Sequence, residues 1–397
     1  MTRADYLLLL TLGLLQFCHI VDFMIVMPLG EKLMADFAIG PREFSWLVSA
    51  YAGAAFVASL ASAAFVDRFD RRRVLLLAHV GFTVGTLGCA VFPGFAGLLV
   101  ARAVAGAFGG MVATQVLAIV GDYFGLERRG RAMGIIMMAF SAASVLGVPA
   151  GISLASFGGW RLPFYTVAGL AVLAGAAAVA MVPTMTAHLA SGERKPGLGE
   201  LFAGVARDGN QVLALAFTVV LMLGHFTVIP FIAPFMQINL GFSDGELSLI
   251  YLIGGLLTVV SLPLIGRWAD ASGPARVFTF GSLGTVAAIL LTTHLPVGIA
   301  TAAALAVTSL FFVTSGGRTI PALTLVTSVV HAERRGGFMS LRAAFNQLGM
   351  GAASFVAGLV IVEGAGGELL HYGTVGWIAT GMSALAVWLA WRLRAVA

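Results

Sequence analysis

Three ionisable side chains stand inside long apolar stretches of the sequence. Asp22 lies in HIVDFMIVMP, His225 lies in GHFTVIPF, and Arg102 lies in the apolar run 95–120. If these stretches cross a membrane, an isolated charge costs roughly 2.5 to 3.5 kcal/mol at its centre, so each charge should face a cavity or a partner. A carboxyl that is neutral in one state and charged in another can carry a proton. Asp22 is therefore the best candidate for a proton carrier, with Arg102 as its modulator and His225 as a second proton group.

Each of these residues also has a purely structural interpretation. Asp22 could bond a neighbouring helix, Arg102 could bond loop carbonyls near the end of its helix, and His225 could be a packed core histidine. Asp22 precedes Pro28 by six residues, and His225 precedes Pro230 by five. Equivalent places in the first and seventh helices predict that Asp22 and His225 face each other. Both interpretations stay open at this point.

Apolar and aromatic side chains accompany the ionisable ones in the same predicted helices. Such surfaces suit hydrophobic or amphipathic ligands, and methionine suits varied ones. The residues expected to line a substrate cavity are Asp22, Phe23, Met27, Phe226, Phe231, Phe312, Arg318 and Asn346. Any one of them could instead face lipid or another helix. As a set they favour a lipophilic compound over a sugar.

The elements that position these residues are predicted to be membrane-spanning helices. The chain is 59% hydrophobic and 10% charged, with a mean hydropathy of +0.98, whereas soluble domains carry about 25% charge. With roughly 20 apolar residues per crossing, 397 residues hold about a dozen helices. The predicted helices are 6–28, 44–66, 74–92, 95–120, 132–154, 162–182, 210–233, 247–266, 277–295, 298–325, 337–361 and 372–391.

The charge distribution predicts an orientation in the membrane. The net charge of +5 comes from basic residues clustered in short loops, which argues against a nucleic-acid partner. If both termini are cytoplasmic, 17 of the 23 basic residues fall on the cytoplasmic side. The positive-inside rule therefore predicts a multi-pass protein of a bacterial-type inner membrane with both termini in the cytoplasm.

A tight cluster of charge between two apolar runs predicts a hairpin loop at the membrane surface. It occurs in AAFVDRFDRRRVLL, residues 63–76, and a related loop occurs in GRWADASGPARVF, residues 266–278. Asp67 and Asp270 in these loops are 203 residues apart. A second pair of similar segments, ERRGRAM and ERRGGFM, is displaced by 206 residues. The chain is therefore predicted to be an internal repeat.

The repeat predicts two similar six-helix bundles. The N-terminal bundle is expected over 1–183 and the C-terminal bundle over 210–397, with the polar segment 184–209 as a cytoplasmic linker. Two such halves with a site between them at the membrane midplane are the architecture of alternating-access carriers.

The sequence shows no site typical of an enzyme, a metalloprotein or a disulfide-bonded protein. The cysteines Cys18 and Cys89 lie in apolar runs and indicate no disulfide or metal framework. No nucleophile–base pair, metal-ligand cluster or phosphate-cradling loop is found, so neither an enzyme nor a cofactor or metal site is predicted. Without a nucleotide site, the energy for transport must come from a gradient.

On these motifs the sequence resembles members of the major facilitator superfamily over its whole length. The loop signature G-x-L-a-D-R-x-G-R-R of that family is matched at Asp67, Arg68, Arg71 and Arg72. The chain departs from the signature with Ala63 and Asp70 in place of its two glycines, and Asp70 adds a negative charge beside the arginines.

Two further motifs resemble the proton-coupled, twelve-helix drug antiporters of this family. Arg102-x-x-x-Gly106 resembles their intramembrane arginine motif. Gly147, Pro149 and Gly151 resemble the G-x-P-x-G motif of the fifth helix, which is associated with antiporters.

The resemblance also implies a conformational latch at the charged loop. In the family the loop aspartate reaches the eleventh helix of the other half, and the loop arginines reach an acid at the end of the fourth helix. Here these would be Asp67, the helix start near Gly337, Arg71 and Asp122, with Arg68 and Arg72 alongside. Such bonds form only when the cytoplasmic side is closed.

The sequence is thus interpreted as an all-α membrane protein with twelve helices in two pseudo-symmetric bundles. It is expected to export small lipophilic or amphipathic molecules by proton antiport, as a monomer in the lipid bilayer. Two alternatives remain: an exporter or facilitator of a sugar, metabolite or lipid-like molecule, and a membrane sensor on a transporter fold.

Overall fold

Twelve long apolar helices dominate the structure, a computed structural model that describes residues 1–65, 68–186, 197–331 and 334–396. Helices form because a backbone in lipid must satisfy its own hydrogen-bonding groups. Within these ranges, the helices long and apolar enough to cross a membrane are α1 Arg3–Ile25, α2 Pro41–Ser62, α3 Arg71–Val91, α4 Phe95–Tyr123, α5 Glu127–Gly158, α6 Arg161–Met181, α7 Gly209–Asn239, α8 Asp244–Ser272, α9 Pro274–Thr293, α10 Thr301–Thr327, α11 Arg335–Val360 and α12 Tyr372–Ala390. The predicted fold class is confirmed.

Several helices begin or end up to six residues away from the predicted positions. α1 begins at Arg3 because the Thr2 hydroxyl accepts from the Asp5 amide while the Asp5 carboxylate accepts from the Thr2 amide, a capping box. α8 continues to Ser272 rather than 266, since polar residues at a membrane surface do not by themselves end a helix.

Three of the described spanning helices are interrupted, at different depths. α5 contains a π-helical turn at Ala143–Gly147, and α7 contains one at Phe235–Asn239, directly after Pro234. α10 breaks at Arg318, which separates Thr301–Gly317 from Thr319–Thr327. Such turns are frequent at functional sites, and proline or paired glycines account for breaks of this kind.

The helices form two bundles, α1 to α6 and α7 to α12. Since the number of spans is even, both ends of the chain lie on one side of the helix array, called the terminal side below; the opposite side is the distal side. A short antiparallel hairpin of β1 Val362–Glu363 and β2 Leu369–Leu370 joins α11 to α12 on the distal side. The Asn239 side chain holds it to the end of α7, donating to the Leu369 carbonyl and accepting from its amide.

Each bundle has a groove at the equivalent place. One lies between α2 and α4 and includes Leu99 and Val100; the other lies between α8 and α10 and includes Leu305 and Ala306. These pairs are 206 residues apart in the sequence, the same displacement as between the two ERRG segments. The grooves therefore show the internal repeat in three dimensions.

The two bundles contact each other closely on the distal side. The Ser49 hydroxyl of α2 donates to the Gly351 carbonyl of α11 at 3.0 Å, and the Ser354 hydroxyl donates to the Ser45 carbonyl at 3.3 Å. A Cβ on Gly358 would overlap the Ser45 side chain, so glycine is required for this approach. Lys32, in the short helix Gly30–Phe37, forms an ion pair of 2.8 Å with Asp244 at the start of α8.

The residue limits of the predicted domains stay a prediction. Residues 187–196 of the linker 184–209 lie outside the described part. The rest of the linker contains a short helix, Leu198–Ala206, of which Leu201 packs beside Gly337 and Phe202 beside Phe345 of α11.

Candidate functional site

A buried ion pair links α1 and α4. Arg102 Nη1 donates to the Asp22 carboxylate at 3.0 Å and to the Asp22 backbone carbonyl at 2.9 Å. Both side chains are 0% exposed. Arg102 Nε also points to the Leu47 carbonyl of α2, at 3.5 Å. One guanidinium thus joins three helices, and a charge this deep is tolerated because it is paired.

Tyr51 of α2 completes the surroundings of Arg102. Its ring centroid lies 4.4 Å from the guanidinium carbon, within the range of a cation–π contact. The Tyr51 hydroxyl lies 2.6 Å from His19 Nδ1. A Cβ on Gly106 would overlap the Tyr51 backbone, and one on Gly109 would overlap the Tyr51 hydroxyl. These two glycines let α4 approach α2 closely enough for Arg102 to reach Asp22.

Part of this polar cluster has no hydrogen-bond partner. Asp22 Oδ1, Arg102 Nη2 and the hydroxyl of Thr86 are buried and unpartnered among the described residues. Thr86 belongs to α3, and its hydroxyl lies near the Asp22 carboxyl without reaching hydrogen-bond geometry. An oxygen of a buried carboxylate that accepts no hydrogen bond is free to take a proton. The site can therefore hold a proton on Asp22, and that proton would remove the charge opposite Arg102.

Asp22 does not border an open cavity in this conformation. Its side chain is fully buried inside the N-terminal bundle, so no open surface reaches it here. The next residue, Phe23, faces the other bundle, with its ring 5.9 Å from that of Phe226. Successive side chains on a helix point about 100° apart, and this turns Asp22 inward while Phe23 lies between the bundles.

His225 lies apart from Asp22, contrary to the predicted face-to-face placement. Its ring is 6.1 Å from that of Phe311 of α10, in the same bundle. The physical reason repeats that of α1: Phe226 occupies the interface between the bundles, and His225, one residue earlier, turns into its own bundle. Asp22 is instead paired with Arg102.

Phe231, which was also expected to line the cavity, is instead buried in a contact between the two bundles. It is 0% exposed and packs edge-on against Phe44 of α2, with ring centroids 5.5 Å apart, at the closed distal side. Phe23 and Phe226 are brought together and form the aromatic contact between α1 and α7. Phe231 is therefore a closure contact in this conformation.

The remaining expected cavity residues are scattered. Met27 is buried in the turn after α1, and Phe312 packs beside Tyr251 of α8 with ring centroids 5.6 Å apart. The Asn346 amide points to the sulfur of Met350, one turn along α11, at 3.4 Å. Arg318 is 1% exposed and donates to the Ser383 hydroxyl of α12. The structure does not bring these four to one surface with Asp22.

The glycine–proline motif of α5 lies directly against the helix of Asp22. A Cβ on Gly147 would overlap the side chain of Val21, and one on Gly151 would overlap that of Ile25. Pro149 lies between these glycines, at the start of the segment after the π-helical turn. On its other side, the same turn contacts Gly255 of α8. α5 thus touches both the helix of the ion pair and the opposite bundle.

The charged loop contains part of the predicted latch. Arg71 Nε forms an ion pair of 2.8 Å with Asp122 at the end of α4, as the resemblance implied. Both residues belong to the N-terminal bundle, so this pair, unlike a bond between the bundles, does not require the cytoplasmic side to be closed. Asp67 lies outside the described residues, so its predicted bond to α11 near Gly337 is not described. Arg68 is exposed. Arg72 donates to the Val179 carbonyl of α6 at 2.5 Å.

Asp70, where the chain departs from the family signature, has a structural role of its own. Its carboxylate caps α3 by accepting from the Arg72 amide at 3.1 Å, and it also accepts from the Met185 amide at 2.8 Å. The Arg71 amide donates back to the Met185 carbonyl. Asp70 therefore attaches the beginning of the linker to the charged loop, which sequence reasoning did not predict.

Sequence reasoning also missed Tyr51, Thr86 and the Lys32–Asp244 pair. Tyr51 and Thr86 are uncharged, and nothing in their spacing marks them. Lys32 and Asp244 belong to none of the motifs found in the sequence. The two partners in that pair are 212 positions apart, so only the folded chain reveals it.

Comparisons with known proteins identify one family over nearly all of the chain. A family model described as Major Facilitator Superfamily matches residues 12–219 and 214–397. An uncharacterised MFS-type transporter of Mycobacterium tuberculosis (strain ATCC 25618 / H37Rv) is 31% identical over 172 residues, 43% of this chain and 30% of that protein. A chloramphenicol efflux pump of Mycobacterium tuberculosis (strain CDC 1551 / Oshkosh) is 27% identical over 64% of this chain and 60% of that protein. The chain therefore spans less than two thirds of either relative's length.

The fold also matches solved structures. A bacterial homologue of the human lysosomal transporter Spinster, in an inward-facing and unoccupied conformation, has a TM-score of 0.75 and 16% identity. The alignment covers 100% of this chain and 99% of that one. At this identity the similarity concerns the fold alone.

Proposed function

The chain belongs to the Major Facilitator Superfamily, and we propose that it exports small, lipophilic or amphipathic molecules by alternating access, driven by protons moving the opposite way. The family and the named relatives are transporters rather than enzymes. The observation that carries the proposal is the fully buried Asp22–Arg102 pair with an unpartnered carboxylate oxygen.

Protonation of Asp22 would supply the driving force for a conformational change. With Asp22 ionised, Arg102 is held to α1 by a charge-assisted hydrogen bond. With Asp22 protonated, the guanidinium keeps its charge and loses its counter-charge. Leaving a buried charge unpaired costs about 3 to 5 kcal/mol, enough to favour a different arrangement of α1, α2 and α4.

α5 provides a physical connection from this pair to the other bundle. Gly147 and Gly151 lie against the residues of α1 that flank Asp22, and Val145 lies against Gly255 of α8. A shift of α1 therefore presses on α5 and, through it, on α8. Packed helices transmit such shifts because interiors are dense and not continuously deformable.

The distal contacts indicate which side is closed. The Lys32–Asp244 ion pair, the Ser45–Ser354 bond and the Phe44–Phe231 contact all join the two bundles there. By the positive-inside rule the terminal side is cytoplasmic, in a bacterial-type inner membrane. On this proposal the structure is a state closed to the outside, and these contacts separate when the transporter opens outward.

Export and a lipophilic substrate are supported by the relatives and by the interface. One relative is named as a chloramphenicol efflux pump, and Phe23 and Phe226 meet where the two bundles face each other. The proposal requires no cofactor and treats the transporter as a monomer.

A second candidate is an exporter or facilitator without proton coupling. The observation that favours it is the complete burial of Asp22, which in this conformation serves a helix junction. On this alternative the ion pair stays intact throughout the cycle, and the substrate could be a metabolite or a lipid-like molecule.

Proton movement in proteoliposomes distinguishes the two candidates. Purified protein is reconstituted with a pH-sensitive dye inside, and tetraphenylphosphonium and chloramphenicol are tested as probes. We expect substrate-dependent proton flux in the wild type and in the exposed-acid control Glu363→Gln, and none in Asp22→Asn. Probe movement without proton flux in every protein would establish the uncoupled alternative.

A further inference from the structure

Arg318 is, after Arg102, a second fully buried arginine, and it lies in the C-terminal bundle without a counter-charge. Its side chain is 1% exposed, and it stands at the break in α10. In the described residues its one hydrogen-bond partner is the neutral Ser383 hydroxyl, which accepts from Nη1 at 3.0 Å. Nε and Nη2 are buried and have no partner.

The C-terminal bundle has no interior acid to supply the missing charge. The sequences of α7, α9, α10, α11 and α12 contain neither Asp nor Glu. In α8 the acids lie in the first turn, where Asp244 pairs with Lys32, and in the last turn, where Asp270 is exposed. Arg102 has an acid beside it and Arg318 does not. A buried guanidinium without an anion is costly, which points to an anion from outside the chain.

The unpartnered nitrogens form one edge of the guanidinium. Nε and Nη2 carry parallel N–H groups on the same side of the planar fork, and this edge matches the two oxygens of a carboxylate. Ser383 holds the third nitrogen and so fixes the orientation of the fork. The arrangement suits a planar, two-oxygen anion better than a spherical ion.

Further polar groups of the same bundle core are also unpartnered. They are the hydroxyls of Ser315 and Thr380 and the Nδ1 atom of His225. Ser315 lies three residues before Arg318, and Thr380 three residues before Ser383, so each shares a helix face with one member of the pair. A buried site needs such groups to complete the hydrogen bonds of an anion.

The position of Arg318 in a broken helix provides a route to exposure. Gly316 and Gly317 precede it and Pro321 follows it, so α10 can bend at this residue. In secondary transporters, substrate sites are built at such breaks in spanning helices. α7, which carries His225, is likewise interrupted, near Pro234.

We propose that the free edge of Arg318, oriented by Ser383, is a subsite for the carboxylate group of an amphipathic substrate. The inference deepens the proposed export function and rests on it in assuming that the bound molecule is the one transported. The carboxylate would bind the Nε and Nη2 hydrogens, and the apolar remainder would lie toward Phe311 and the space between the bundles.

The test is ligand binding to purified protein, with sodium benzoate as the probe and neutral benzamide as its matched control. The midpoint of thermal unfolding is followed at constant ionic strength, with sodium chloride replacing benzoate. We expect a saturable rise of the midpoint with benzoate and none with benzamide or chloride, because a ligand that binds only the folded state stabilises it.

Variants assign the effect to the subsite. Arg318→Lys keeps the charge but loses the fork, and we expect it to weaken benzoate binding about tenfold, the loss of one charge-assisted hydrogen bond. Ser383→Ala is expected to weaken it a few-fold, and the exposed-arginine control Arg276→Gln not at all. Since the benzoate–benzamide comparison needs no variant, a poorly folding Arg318→Lys leaves the test intact.

Three results would overturn the inference. They are stabilisation by benzamide equal to that by benzoate, the same rise with chloride alone, and unchanged benzoate binding in Arg318→Lys. The measurement reports binding at Arg318 in the C-terminal bundle and uses no proton gradient. Failure of the subsite is therefore distinguishable from failure of proton antiport.

Discussion

Arg102 holds Asp22 by two different atoms, its carboxylate and its backbone carbonyl, from a position 80 residues away in the chain. When Asp22 takes a proton, only the bond to its carboxylate loses the contribution of the negative charge. The second keeps α4 attached to α1. Protonation therefore loosens the junction without dissolving it, which is the behaviour a reversible proton site requires.

The ion pair predicts a non-additive effect on stability. Replacing Asp22 alone with leucine leaves a buried, unpaired guanidinium, and we expect it to destabilise the protein by about 3 to 5 kcal/mol. The double variant Asp22→Leu/Arg102→Leu should be less destabilised than Asp22→Leu, because no charge is then left unpaired. Unfolding of the purified variants by heat or denaturant measures both values.

Equal losses in the single and the double variant would show that the two charges do not stabilise each other. The matched control is Arg276→Leu, an exposed arginine outside the site, which should change stability by less than about 0.5 kcal/mol.

The Lys32–Asp244 pair predicts how the distal side opens. Its side chains are 27% and 23% exposed, so solvent screens the pair and we expect it to contribute no more than about 1 kcal/mol. Lys32→Ala should raise the population open on the distal side by up to about fivefold. Distances between spin labels across the distal opening would measure the shift.

Charge exchange supplies the control for that experiment. In Lys32→Asp/Asp244→Lys the two charges trade places, and the closed population should largely return. A shift that persists equally in this double variant would mean that the pair does not hold the bundles together.

Gly358 predicts a steric block to distal closure. A Cβ there would overlap Ser45 of the opposite bundle, so Gly358→Ala should disfavour the closed distal side. Gly381→Ala in α12 is the matched control, because its Cβ would have no neighbour within 4 Å. The same spin-label distances report both variants, and an unchanged distribution in Gly358→Ala would contradict the prediction.

Asp70 predicts a local effect at the start of the linker. Asp70→Ala removes the cap of α3 and the bond to the Met185 amide, and we expect a loss of about 1 kcal/mol. Hydrogen–deuterium exchange at the Met185 amide should become faster. Asp70→Asn keeps an acceptor oxygen, so its exchange should stay close to that of the wild type.

The sequence alone determined the helices, their number and the repeat. Each rests on local or periodic features: runs of apolar residues long enough to cross a membrane, charges in the loops between them, and segments recurring about 205 residues apart. Arg71 and Asp122 were also paired correctly, through the motif that the loop shares with a known family. Helix ends were less predictable, because α8 continues through charged residues and α7 continues past Pro234.

Only the tertiary structure decided which way each buried group points. Asp22 and His225 occupy equivalent places in their helices, yet each turns into its own bundle while Phe23 and Phe226 meet between them. One residue changes the direction of a helical side chain by about 100°. The depth of a residue in the membrane can therefore be predicted from the sequence, but the direction in which its side chain points cannot. For the same reason, neither the contact of Tyr51 with Arg102 nor the unpaired edge of Arg318 could be predicted before the packing of the helices was known.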